Sequence, residues 1–330
     1  MTEIKDTSAS PGPDQTGAPA GPTAGIATDA AAVESAAGVG AGSDVVPARR
    51  RFETLYFALR NAKVVGGLSV LLLFVLFGAI GPLFTDFGPR QRQVGPRNGA
   101  PNAENWLGTT SLGQDVFTQM AYGVRASFYV GIGAALVAGL IGMLIGFVAG
   151  YRGGLIDELL MAFTNIVLVL PVFVVLIVLN AYLGQRSLWI QALVIGVFSW
   201  PWVARAVRAQ TFSLRNRDFV DLARLSGVGT LNIIRREIAP NMASYLVMVF
   251  VLLFAGAVLL AVLLDFIGFG PRDSVSLGWM LDQARQNSAI IYGFWWWFIP
   301  PGAAITAITG AAYITNVGLD EVFNPKLREM

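Results

Sequence analysis

Eight charged side chains crowd one short stretch: Arg215, Arg217, Asp218, Asp221, Arg224, Arg235, Arg236 and Glu237. The 330-residue chain around them is 55% hydrophobic and only 13% charged. What this cluster could do is bounded by what is missing. There is no Cys and no His, which removes disulfides, thiolate nucleophiles, histidine acid–base relays and most zinc sites. Lysine occurs only at Lys5, Lys63 and Lys326. None of them follows the Gly-x-x-x-x-Gly of a phosphate-binding P-loop. No catalytic residue and no metal ligand set is therefore expected, and any ATP used must be bound by another chain. The chemistry left to residues 218–241 is recognition by arginines, acids and apolar side chains on short helices.

The spacing inside that stretch predicts two helices. In the first, Arg217–Asp221 (i,i+4) and Asp221–Arg224 (i,i+3) can pair, and Phe219, Leu222, Leu225 and Ser226 share a less polar face. Gly227 and Gly229 end it, because glycine takes left-handed backbone angles and lets a partner come close. Thr230 is placed to cap a second helix over 231–238. Pro240 sits where a new helix can begin, since its missing N–H is not needed there. Two readings fit: an amphipathic linker whose arginines meet lipid phosphates, or a docking surface for another protein.

The elements that position this stretch are apolar runs. Residues 64–84, 127–150, 155–183, 188–207, 242–264 and 289–316 are each near or above the roughly 20 residues that cross a bilayer core. The expected fold is an all-α polytopic membrane protein with six spans over 64–316. Arg49, Arg50, Arg51, Arg60 and Lys63 precede the first span, in a basic interfacial segment at 49–63, and place the N-terminus in the cytoplasm. Counting six crossings puts the C-terminal tail, 317–330, and the loop at 208–241 on that same side. The loop at 86–126 is then external, although it carries Arg90, Arg92, Arg97 and Arg125; long translocated loops obey the charge rule weakly. Its half from Trp106 to Tyr122 has Leu112, Val116, Phe117 and Met120 at helical spacing and reads as a helix lying on the outer surface. Residues 1–48, rich in Ala, Gly and Pro, read as a disordered cytoplasmic tail.

Small residues recur four apart at Gly131, Ala135 and Gly139, and again at Gly142, Gly146 and Gly150. Such ladders let helices approach closely in lipid, and packing within the chain explains them. Pro171 falls within span three and predicts a kink. Trp200 stands beside Pro201 in span four, and Asp265 ends span five. An acid at that depth is expensive and usually functional, so Asp265, Pro171 and Trp200 are the candidates for a substrate pathway.

The stretch at 218–241 resembles the EAA loop of ABC-importer permeases. Asp221-Leu222-Ala223 stands for the Glu-Ala-Ala start, Gly227 for the glycine four residues later, and Ala239-Pro240 for the end thirteen residues on. Other pieces resemble the C-type permease of dipeptide, oligopeptide and nickel importers: Trp106-Leu107-Gly108-Thr109, Leu112-Gly113-Gln114-Asp115-Val116 and Tyr122-Gly123-Val124-Arg125-Ala126-Ser127. Gly150-Tyr151-Arg152-Gly153-Gly154, Phe266-Ile267-Gly268-Phe269-Gly270 and Asn324-Pro325-Lys326-Leu327-Arg328 extend the match. The likeness spans about residues 50–330. Asp221 and Leu222 depart from the EAA start, Thr110 and Gln114 replace an expected aspartate and arginine, and Ala261 stands where that family has a glutamate.

The resemblance implies a type I importer permease in a bacterial inner or plasma membrane, working by alternating access. It implies a homologous second permease, two ATP-binding subunits that bind ATP and Mg, and an extracytoplasmic solute-binding protein; lipid surrounds the chain and no nucleic acid is involved. It assigns ATPase coupling to Asp218, Asp221, Leu222, Ala223, Leu225, Gly227, Val228, Gly229 and Pro240. Peptide is the implied solute, with nickel or another small solute as the alternative. A stand-alone secondary carrier, which needs its own coupling acids, is disfavoured by the scarcity of ionisable residues in the spans.

Overall fold

The computed structural model describes residues 56–182 and 187–323. These lie in one compact unit, Arg49–Met330. The tail at 1–48, the arginines at 49–51, Arg186 and the ending at 324–328 lie outside the described residues.

The described residues form helices and no strand. Helix α1, Ala62–Ile80, is capped by the Asn61 side chain and runs into a 3-10 turn, Gly81–Phe84. Helices α2 (Val116–Arg152), α3 (Gly154–Val169), α4 (Val172–Tyr182) and α5 (Leu188–Leu214) follow. Then come the short α6 (Asp218–Leu225), the long α7 (Ala243–Leu264), α8 (Leu277–Gln286) and α9 (Trp295–Phe323). Helices α1, α2, α5, α7 and α9 are long and apolar enough to cross a membrane; α3 and α4 qualify only as a pair bent by 76°.

Span three is thus a broken element rather than one kinked helix over 155–183. Proline disfavours the helical region for the residue before it. Leu170 accordingly adopts φ −67°, ψ 128° and the chain restarts at Val172. Of the surface helix expected over Trp106–Tyr122, only 116–122 is helical, and it is the first part of α2. Gly108 (φ 69°) and Gly113 (φ 67°) turn the chain there, and Thr109 and Asp115 form an antiparallel bridge. Asp115 then caps α2, its Oδ2 accepting from the Thr118 amide and hydroxyl at 2.7 and 2.8 Å. From that cap α2 continues unbroken for 37 residues, about 55 Å. The last span begins later than expected, at Trp295, because Ser288 (φ 55°) and Gly293 (φ 74°) place turns before it.

The surface is inverted relative to a water-soluble bundle. Leu72, Leu73, Leu140, Leu144, Leu155 and Val169 are all more than half exposed, which suits contact with lipid rather than water. The interior is held by close backbone approach. Gly142, Gly146 and Gly150 of α2 meet Val203, Val207 and Thr211 of α5; a Cβ on any of the three would lie 2.6 or 2.7 Å from those side chains. The other ladder serves a different neighbour, for Gly131 lies against Phe254 and Val258 of α7. Lys63 and Asn61 at the start of α1 reach Glu321 near the end of α9, and Gly67 and Gly318 let those two helices touch.

Candidate coupling site

Helix α6 is fixed to the bundle by few residues. Val220 is fully buried, and Phe219 and Ala223 pack half-buried beside it. Phe219 therefore turns inward, apart from Leu222 and Leu225, with which its spacing groups it on one less polar face. Arg217 occupies the N-cap position in extended conformation (φ −92°, ψ 148°) and forms no ion pair with Asp221. Asp221 instead pairs with Arg224 at 2.9 Å. The Arg224 guanidinium also lies 5.3 Å from the Tyr151 ring centroid, with Nε 3.4 Å from the Tyr151 hydroxyl. Nearby, Arg215 donates to the Gly150 and Tyr151 carbonyls at 3.3 and 3.1 Å, which satisfies carbonyls left open at the end of α2. These contacts are not legible from local spacing, because Tyr151 and Arg224 are 73 residues apart.

The helix ends in a Schellman motif. The Val228 amide donates to Ala223 O and the Gly227 amide to Arg224 O, both at 3.0 Å, with Gly227 left-handed at φ 74°. A Cβ on Gly227 or Gly229 would meet nothing within 4 Å. Around this open corner stand Leu222 (64% exposed), Leu225 (86%), Val228 (37%) and Leu231 (75%). Asp218 and Asp221 are exposed on the first turn of α6. These four apolar side chains lie exposed in an otherwise polar loop.

Beyond Gly229 the second predicted helix takes another form. Gly229, not Thr230, is its N-cap; only Thr230–Ile233 is α-helical, and Ile234–Ile238 is a π-turn. Pro240 has no N–H to donate four residues back, so the regular ladder loses a rung just there. Pro240 sits in the short helix Ala239–Asn241 that leads to α7, separate from the Gly227 corner.

The three pathway candidates do not share one site. Pro171 is exposed at the α3–α4 break. Trp200 is 5% exposed and stacks on Phe163 with centroids 5.9 Å apart. Asp265 is 2% exposed, accepts from Gln191 Nε2 at 2.6 Å and from the Ser276 hydroxyl, and borders a polar cavity of about 290 Å³ with Arg90, Trp279 and Asp282. Gln191 lies nine residues before Trp200 on α5, about 13 Å along the axis. Sequence reading also missed Asp157–Arg208, a bidentate pair at 2.5 Å joining α3 to α5. Opposite charges inside otherwise apolar helices were the available signal.

The chain matches the family described as binding-protein-dependent transport system inner membrane component over residues 142–329. It is 32% identical over 269 residues to the dipeptide transport system permease protein of Bacillus subtilis (strain 168), covering 82% of this chain and 83% of that protein. Two proteins of Brucella suis biovar 1 are 33% identical: a candidate peptide permease over 81% of this chain and 88% of its own length, and a candidate peptide transport system permease over 79% and 87%. The chain belongs to the family of inner-membrane components of binding-protein-dependent transport systems. It is an all-α permease subunit of an ABC importer in a bacterial membrane.

Two of its departures from the family pattern prove to be neighbours. Thr110 Oγ1 lies 3.4 Å from Gln114 Oε1, and Gln114 Nε2 donates to Arg90 O at 3.0 Å. Thr110 and Gln114 are thus a buried, neutral, hydrogen-bonded pair.

Proposed function

We propose that this chain forms half of the translocation pathway of a peptide importer, with residues 218–241 in the cytoplasm as the seat of an ATPase subunit. The observation that carries this reading is the exposed row Leu222, Leu225, Val228 and Leu231 around the open Gly227 corner. A groove on the ATPase covers that row. The tie between Arg224 and Tyr151 passes its displacement to the end of α2, which the glycine ladder keeps in register with α5. Because α2 is a single helix of 37 residues, movement at the coupling end reaches the opposite end near Val116. A second, homologous permease completes the pathway, a solute-binding protein delivers peptide at the far end, and ATP with Mg is bound and hydrolysed in the partner subunits. The peptide assignment rests on the names of the B. subtilis and Brucella relatives.

Purification in mild detergent from the native host is expected to bring down two ATP-binding subunits and a second permease. Proteoliposomes of that complex, supplied with the binding protein, are expected to accumulate labelled dipeptide only with ATP. Transport by the chain alone without ATP would favour a stand-alone carrier. Topology is tested separately. A reporter fused at Thr230 is expected to read cytoplasmic and one at Asn102 external; the opposite pattern overturns the orientation.

A further inference from the structure

Helices α1 and α2 leave a groove between them at the end of the bundle away from α6. Its walls are Phe74, Val75, Gly78 and Ala79 on α1 and Arg125, Phe128, Tyr129 and Ile132 on α2, enclosing about 350 Å³. Each set recurs at helical spacing, so each is one face of its helix. Gly78 is buried at the floor of the groove, because it packs against the Arg125 backbone, where a Cβ would lie 3.1 Å from the Arg125 amide nitrogen.

The groove is polar at one end only. Arg125 is exposed and forms no ion pair among the described residues; its contacts are with Tyr129, 3.3 Å from the hydroxyl and 5.6 Å from the ring centroid. Beneath it the walls are apolar. Its depth follows from α2. Residues 126–151 carry no charge, and Arg125 and Arg152 bracket them. At 1.5 Å per residue they stand about 40 Å apart, close to the roughly 40–45 Å of a bilayer with its headgroup zones. A second marker agrees: Tyr129 and Trp189, the latter 71% exposed, lie with ring centroids 6.2 Å apart, as an interfacial aromatic belt would.

We propose that this groove is a binding site for one anionic phospholipid, with its phosphate on Arg125 and an acyl chain against Gly78, Ala79, Phe128 and Ile132. A guanidinium at headgroup depth with no acidic partner among the described residues calls for an oxyanion, and charge-assisted contacts to phosphate are strong and directional. The apolar walls below match a chain attached to that same group. The lipid fills the cleft beside the Gly78 contact and so packs across both α1 and α2.

The test titrates delipidated full-length chain with phosphatidylglycerol or phosphatidylcholine, reading bound lipid by native mass spectrometry and thermal unfolding. The wild-type chain is expected to retain one phosphatidylglycerol and to gain thermal stability from it. Arg125→Gln is expected to weaken phosphatidylglycerol binding about tenfold, while Arg125→Lys keeps part of it. Ala79→Trp, which fills the groove from its exposed wall and keeps Arg125 in the sequence, is expected to lose binding of both lipids. Equal affinity of the wild type for the two lipids overturns the proposal, as does wild-type phosphatidylglycerol binding by Arg125→Gln and Ala79→Trp. So does a photo-cross-linker at Ile132 that, in intact membranes, captures a protein instead of lipid. None of these outcomes depends on which solute the importer carries.

Discussion

Gly227→Leu is expected to abolish uptake in a chain that still folds and inserts. The local effect of the substitution is small. Leucine would take a left-handed conformation (φ 74°), costing about 1–2 kcal/mol, but it would meet no atom of this chain within 4 Å. Val220 and the Arg224–Tyr151 contact would still hold α6 in place. The large effect falls on whatever covers the corner. A side chain at the centre of a packed contact typically changes affinity by on the order of 2 kcal/mol or more, about thirtyfold. Gly227→Asn separates the two contributions, since asparagine tolerates the left-handed region while adding less bulk. The expected order of ATP-dependent uptake and of ATPase retained on the complex is wild type, Asn, then Leu. Melting temperatures of the isolated chain should differ little across the three. Unchanged uptake by Gly227→Leu would remove the coupling role from this corner.

Gly146→Leu is expected to do the reverse, breaking the protein before it breaks coupling. A Cβ there would lie 2.7 Å from both the Ala204 carbonyl oxygen and the Val207 Cβ. The obstructing atoms include main chain, so a rotamer change cannot relieve the clash and α2 must move away from α5. Overpacking a tight interior costs typically 1–3 kcal/mol. Here the separation also disturbs Gly142 and Gly150, whose neighbours are Trp200 O and Arg208 O, so the upper end is expected. The readouts are accumulation in the membrane and thermal unfolding in detergent. Gly256→Leu is the control, because nothing lies within 4 Å of a Cβ at Gly256. If the two variants lower the melting temperature equally, close α2–α5 packing is not what the glycine ladder serves.

The contrast between these glycines shows what spacing alone can convey. The recurrence of Gly142, Gly146 and Gly150 announced a close helix contact, but not that its partner is α5 while Gly131 serves α7. Periodicity reports a face; the neighbour of that face is fixed only when the whole bundle packs. Span positions were legible for a similar reason, since crossing a bilayer demands about 20 apolar residues whatever the fold. Breaks were less legible. Pro171 announced a perturbation, yet the 76° turn depends on what surrounds α3 and α4. The run of apolar residues before Tyr122 suggested a surface helix until the glycines at 108 and 113 and the Asp115 cap set the true start of α2.

Residues 218–241 divide along the same line. Their local chemistry lay open in the sequence: a charged, amphipathic helix, ended by Gly227, with Asp221 and Arg224 within pairing reach. Helix propensity, capping and i,i+3 pairing act between near neighbours, so a linear reading suffices for them. Which side of that helix faces inward was decided by contacts across long separations. Val220 fills the bundle, Arg224 reaches Tyr151 and Arg215 closes the end of α2, and this leaves Leu222, Leu225 and Val228 outward. The sequence by itself determined an all-helical membrane chain interrupted by one polar, amphipathic loop, because lipid forces those features locally. Only the tertiary structure decided which side chains that loop presents, because burial is a property of the packed bundle and not of any one segment.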